Sequence, residues 1–270
     1  MPATSMPPGE TPATLLPSIF DPDGDAALRR VLAAGALIAF DFDGTLAPIV
    51  ERPDDARMPA SLDARLHDLG ELAPVAIVSG RGLEDLRKRA GAGARYLVGN
   101  HGNDGLGGDP QDASQALAVC RGWRVALERA LDGPASDSGI ELEDKGATLS
   151  LHYRRARDPE GAAAALGALL AELSPAPRVI GGKFLFNLLP PGAVTKFEAL
   201  VRLAEQAGTG TVAFIGDDDT DEIVFRQAPA GWLTVRVEPL PGSAARYQAE
   251  RQADVARLVE RMVEILQDRC

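Results

Sequence analysis

A chain of 270 residues with 45% apolar content can bury a substantial core, and its length makes one or two domains the expectation. Its formal net charge of −11, with no basic block to offset it, argues against a sequence-independent grip on nucleic acid or an anionic membrane surface. Cys120 and Cys270 are the only cysteines, make no disulfide framework and suit a reducing compartment, so a cytoplasmic protein is expected.

The opening stretch, MPATSMPPGETPATLLPSIF, has no basic start and no unbroken apolar run, and it resembles neither a secretion signal nor a membrane span. Residues 1–28 are expected to form a flexible leader, because prolines and small residues bury too little apolar surface to offset the cost of ordering. Beyond it, four apolar runs of strand length each end on glycine or a polar cluster: ALIAFDFDG, PVAIVSGRG, RYLVGNHG and TVAFIGDDD. Helical periodicity follows in SLDARLHDLGEL, where His67 is expected on the helix surface, and in GLEDLRKRA, VTKFEALVRLAEQ and Ala244 to Asp268. This alternation predicts an α/β fold, a Rossmann-like parallel sheet with helices on both faces. Residues 29–103 and 186–270 are assigned to that core.

Residues 104–185 read differently. A helix is expected around Ala113 to Leu131, then two alternating runs, GIELED and ATLSLHYR, separated by KG as in an antiparallel hairpin. An alanine-rich helix over 161–173 and the stretch RVIGGKFLFNLLP complete what reads as a smaller, inserted α+β domain.

Open parallel sheets bind ligands outside the carboxyl ends of their strands. Asp41 and Asp43 share one face of the first strand as it ends, and the run Asp217, Asp218, Asp219, Thr220, Asp221 follows the strand that closes on Gly216. Carboxylates gathered there would repel one another by about 4 kcal/mol per close pair at an effective dielectric near 20, so the cluster needs a cation. Hard oxygen donors without cysteine or paired histidines favour Mg2+, whose usual company is a phosphate. Asp41, Asp43 and Asp217 are the expected metal ligands, with Asp218 and Asp221 supporting the metal water or Lys196.

The chemistry expected is phosphoryl transfer. Asp41 is assigned as the nucleophile that forms an aspartyl-phosphate, and Asp43 as the acid and base that protonates the departing sugar oxygen and later deprotonates water. Lys196 would neutralise charge on nucleophile and phosphoryl group, and Ser79 would hold a phosphate oxygen. Thr45, Gly80, Arg81 and His101, also at strand ends, are assigned with Ser79 to substrate binding.

DFDGTLAPI, SGR, GNHG, Lys196 and GDDDTDE together resemble the haloacid dehalogenase-like phosphatases and, more narrowly, the trehalose-6-phosphate phosphatases, over most of the chain from about residue 30. The resemblance implies a haloacid dehalogenase-like core, Mg2+ dependence, and a mobile cap inserted between the SGR and lysine motifs to select the sugar. It also implies that Glu143, Lys145, Arg154, Lys183 and Asn187 read the sugar phosphate from the cap. The sequence departs from the family where Asn187, Leu188, Leu189 and Pro190 replace a glutamate and then a basic residue before proline, and where Phe197 stands in place of a small residue. The expected reaction is hydrolysis of trehalose 6-phosphate by a monomer whose partner is a small sugar phosphate. Alternatives are a related phosphatase or phosphomutase acting on another sugar phosphate, and a non-catalytic sugar-phosphate sensor.

Overall fold

The computed structural model describes residues 15–50, 52–107, 110–132, 139–182 and 184–269. The first half of the expected leader and Lys183 lie outside them.

Six strands form one parallel sheet in the order β10-β9-β8-β1-β2-β3. They are β1 (Leu37–Phe40), β2 (Val75–Val78), β3 (Tyr96–Val98), β8 (Val212–Gly216), β9 (Leu233–Val237) and β10 (Tyr247–Ala249). Strand alternation divides the core cleanly. Ile38 and Phe40 point into a cluster with α1 (Pro22–Ala33), α2 (Ala60–Leu72) and α8 (Asp254–Gln267), whereas Leu37 and Ala39 point into a second cluster with α6 (Lys196–Ala207) and α7 (Asp221–Gln227). The sheet is covered on both faces, as continuous apolar strands require. Strand order reverses between β1 and β8, where Phe40 pairs with Ile215, so the ends of these two strands flank the switch-point crevice.

The smaller unit is an antiparallel sheet in the order β4-β5-β7-β6. Its strands are β4 (Glu141–Asp144), β5 (Leu149–His152), β6 (Arg178–Gly182) and β7 (Leu185–Leu189). Leu149, Leu151 and Leu188 pack with Trp123 and Leu127 of α4 (Pro110–Leu131) and with Leu166 and Leu170 of α5 (Pro159–Ala171), so both helices cover one sheet face. The fold is therefore a Rossmann-like parallel-sheet core with an inserted α+β unit.

Three expectations meet differences. Residues 22–28, read as leader, form the first turns of α1, which buries Ala27 and Leu28. The helix expected from Ala244 begins only at Asp254, because Tyr247–Ala249 pair with β9; ladder bonds outweigh the local helix propensity. Residues 186–189, assigned to the core, belong to β7 and pair within the smaller sheet.

Candidate active site

β1 is buried throughout, and its ladder continues one residue further, Asp41 N donating to Ile215 O at 2.9 Å. The chain then leaves strand geometry. Leu46 and Ala47 N–H both bond Phe42 O, Gly44 takes φ +80°, and a side chain on Gly44 would run into the Asp217 carboxylate. The two-residue alternation that would have joined Asp41 and Asp43 thus ends at Phe40.

Asp41 is 4% exposed and faces Lys196, with Nζ 3.1 Å from Oδ1. That approach lies off hydrogen-bonding geometry and leaves Asp41 Oδ1 an unsatisfied buried acceptor. Lys196 is fixed by its helix: Thr195 caps α6 in a reciprocal capping box with Glu198, which sets Lys196 as the first helical residue. Its Nζ donates to Asp221 Oδ1 at 2.8 Å. Asp221 Oδ2 accepts from the Asp217 and Asp218 backbone N–H groups at 2.9 and 3.1 Å and so folds the acidic loop upon itself. Thr45 Oγ1 donates to Asp217 Oδ1 at 2.9 Å and aims that carboxylate inward.

Oxygens of Asp41, Asp217 and Asp221 lie within 4.8 Å of one another. Asp43, expected among the metal ligands, is held apart: Arg81 forks it, Nε on Oδ2 and Nη2 on Oδ1, each at 2.6 Å. Arg81 also bonds Asp85 at 2.7 Å, and Asp85 accepts from Arg89. Asp221, assigned a supporting part, joins the convergent oxygens in place of Asp43.

The electrostatics follow from burial. Desolvation first, then neighbouring Asp221 and Asp218, push Asp217 well above the usual carboxylate range; Asp41 is pushed up by burial despite Lys196, and Asp221 rises to about 6. Burial also acts on Asp218, but Lys196 and the Thr220 hydroxyl overcome it and hold that carboxyl low. Lys196 is pushed up, its own burial overcome by Asp221, Asp41 and Asp218. One lysine among four carboxylates leaves an anionic pocket of oxygen donors in which Asp41 Oδ1 has the Lys196 ammonium opposite it but no hydrogen bond, and Mg2+ fits that donor set.

Ser79 is buried after β2, its Oγ accepting from Arg81 N at 3.2 Å. His101 is buried against Gly80, where a side chain would strike the imidazole. Burial, with Lys145 and Lys196 nearby, lowers its pKa to about 3; Asn187 is near enough to favour the charged ring yet completes no hydrogen bond with it. Asn187 instead accepts from Ser150 Oγ at 2.7 Å on the sheet face opposite α4 and α5. On the cap, Glu143 Oε2 lies 2.8 Å from His152 Nε2 and 3.5 Å from Lys145 Nζ, and Lys145 reaches Gly80 O at 3.2 Å. Arg154 is exposed past the end of β5 and makes no hydrogen bond or ion pair among the described residues. His67 is exposed on α2, and Phe197 stacks obliquely on Trp232, with centroids 5.5 Å apart.

Ser150 and His152 were missed by sequence reasoning. The alternation of Ser150 and His152 with Leu149 and Leu151 would have set both on one face with Asn187.

The sequence matches the trehalose-phosphatase family over residues 39–244. This chain belongs to the trehalose-phosphatase family. Among relatives, a trehalose-phosphate phosphatase of Mycobacterium avium is 33% identical over 248 residues, covering 85% of this chain, and one of Mycobacterium bovis is 31% identical over 264 residues, covering 90%. The chain spans 62% of the M. avium relative's length and 66% of the M. bovis one. The C-terminal domain of C. albicans trehalose-6-phosphate phosphatase shares the fold, with a TM-score of 0.70 at 23% identity over 94% of this chain and 99% of that one. The family match spans Asp41, Lys196 and the Asp217–Asp221 loop, and the whole cap between them.

Proposed function

We propose that this chain hydrolyses trehalose 6-phosphate to trehalose and phosphate through an aspartyl-phosphate on Asp41. The observation that carries the proposal is Asp41 itself: a buried strand-end carboxylate with an unsatisfied oxygen, facing a buried lysine beside two further convergent aspartates. The substrate is carried over from the names of the relatives at 31–33% identity.

In this reading Asp41 attacks phosphorus as the bond to the sugar oxygen breaks, and that oxygen takes a proton from Asp43. Water then attacks the acyl phosphate while Asp43 takes its proton, so the acid of one step is the base of the next. For Asp43 to carry the proton, one of its oxygens must leave the Arg81 fork. Ser79 and Thr45 line the phosphoryl group, and the N-terminus of α6 with Lys196 balances its charge. Asp41, Asp217 and Asp221 would hold Mg2+, which when bound supplies positive charge to the phosphoryl oxygens. Gly80, Arg81 and His101 from the core and Glu143, Lys145, Asn187 and Arg154 from the cap would read the sugar phosphate. The division into a core and an inserted cap is part of this reading, with the core begun at α1 and the cap carried beyond the expected residue 185 to the end of β7 at Leu189.

A panel of trehalose 6-phosphate, sucrose 6-phosphate and hexose phosphates, assayed for phosphate release with and without Mg2+, tests the substrate. Trehalose 6-phosphate should lead by kcat/KM, and only with Mg2+. Another sugar phosphate far ahead of it would overturn the substrate while leaving the reaction class in place.

A further inference from the structure

Asn100 follows β3 and takes no part in the phosphoryl chemistry derived above. Its side chain, 1% exposed, is engaged at both ends by the cap: Nδ2 donates to Lys145 O at 3.1 Å, and Oδ1 accepts from Thr148 Oγ1 at 3.1 Å. Lys145 and Thr148 bound the loop between β4 and β5, which is itself closed by Lys145 N donating to Thr148 O. One core amide therefore grips both ends of one cap turn.

Three residues later Asn103 works as a clip. Its Oδ1 accepts from Val194 N at 2.8 Å and its Nδ2 donates to Val194 O at 3.0 Å, so the segment leaving the core is tied to the one returning from the cap. Val194 leads directly into Thr195 and Lys196, and a side chain on the intervening Gly102 would meet Thr195 O. The backbone makes this reach possible because Asn100 and His101 both take left-handed conformations, φ 50° and 57°, which asparagine tolerates better than most residues.

We propose that Asn100 is a latch that holds the cap on the core, with the Asn103 clip as its fixed pivot. Opening the cap must break both Asn100 bonds while the clip keeps the two crossings together beside Lys196. The latch acts on substrates whose sugar the cap must hold, a point that rests on the reading under Proposed function. It leaves a small aryl phosphate, which needs only the core, indifferent. Asn100 is a positioning residue and touches no reacting atom.

The test uses Asn100→Gly, which keeps the left-handed backbone without strain, and the nearly isosteric Thr148→Val, singly and together. Each should lower kcat/KM for trehalose 6-phosphate, Asn100→Gly by about tenfold and Thr148→Val by less, as befits one or two buried hydrogen bonds. The double variant should be no worse than Asn100→Gly, because both changes remove the same latch. Activity on p-nitrophenyl phosphate should stay within about twofold of the parent, a difference too small to reflect a lost hydrogen bond. Backbone amides of residues 145–148 should exchange faster in Asn100→Gly while those of β1 and β8 hold. Equal losses on both substrates, additive losses in the double variant, or unchanged exchange at 145–148 would each overturn the latch. If Asn100→Gly does not fold, Thr148→Val decides by the substrate ratio and the exchange at 145–148. Should the parent hydrolyse the aryl phosphate and not trehalose 6-phosphate, the substrate reading fails and the exchange measurement still decides the latch.

Discussion

Arg81 grips Asp43 by both oxygens at 2.6 Å, whereas Asp41, two residues earlier in the chain, looks to Lys196 at 3.1 Å. Two carboxylates of one short motif thereby receive separate surroundings, as separate roles in one reaction require. Arg81→Lys keeps the charge and loses the fork. With Asp43 less well aimed but still present, kcat on trehalose 6-phosphate should fall by roughly 10- to 100-fold, a part of the roughly 10²- to 10⁴-fold that general acid catalysis supplies. The loss should be smaller with p-nitrophenyl phosphate, whose leaving group needs little protonation. Equal losses on the two substrates would contradict the role of Asp43 as acid.

Lys196 is the cation that makes the burial of Asp41 and Asp221 tolerable. Lys196→Met should cost about 3–5 kcal/mol of stability, the usual penalty for removing one partner of a buried pair. Millimolar Mg2+ should narrow the gap in melting temperature between variant and parent, because the ion replaces part of the missing positive charge. A gap unchanged by Mg2+ would argue that the ion binds elsewhere.

Asp217 is aimed by Thr45, and Asp217→Asn retains an acceptor for that hydroxyl while removing the charge. In the parent, Mg2+ at one hundred times its dissociation constant should stabilise the fold by about 2.7 kcal/mol. In Asp217→Asn most of that thermal shift should vanish at the same concentration, and the Mg2+ needed for half-maximal activity should rise at least about tenfold. An undiminished shift in the variant would remove Asp217 from the metal site.

His101 gives a pH dependence of definite sign. Burial lowers its pKa to about 3 in the folded chain, against about 6.5 unfolded. Its contribution is complete above pH ~6.5 and is lost as the pH falls toward 3, because only the unfolded chain takes up the proton there, at up to about 1.4 kcal/mol per pH unit. Replacing His101 by Gln removes that proton uptake. Urea unfolding of both proteins from pH 7 to 4.5 should show the stability difference shifting toward the variant as the pH falls; a constant difference would mean that His101 titrates normally in the folded state.

Much of the site was legible in the sequence because it sits where apolar strands stop. Asp41, Ser79, His101 and the Asp217–Asp221 loop follow β1, β2, β3 and β8, and a parallel sheet presents all those ends on one rim. What stayed hidden depends on contacts distant in sequence or on departures from regular backbone. The Arg81 fork joins residues 38 positions apart, and nothing in DFDGT or SGR alone reveals it. Asp43 was grouped with Asp41 by a strand period that ends at Phe40. Tyr247–Ala249 carry helix-compatible neighbours and become a strand only because β9 offers an edge. The Asn100 bonds to Lys145 and Thr148 span 45 and 48 positions, and only the packing of cap on core creates them.

The central claim is that Asp41 is the group to which phosphorus is transferred, and Asp41→Asn tests it most directly. The parent with Mg2+ should release phosphate from trehalose 6-phosphate and, when quenched in acid during turnover, retain label from the phosphoryl group. The variant should fold with an equal or higher melting temperature, since a buried charge is removed, and should neither turn over nor retain label. Turnover and labelling in Asp41→Asn equal to the parent would contradict the account.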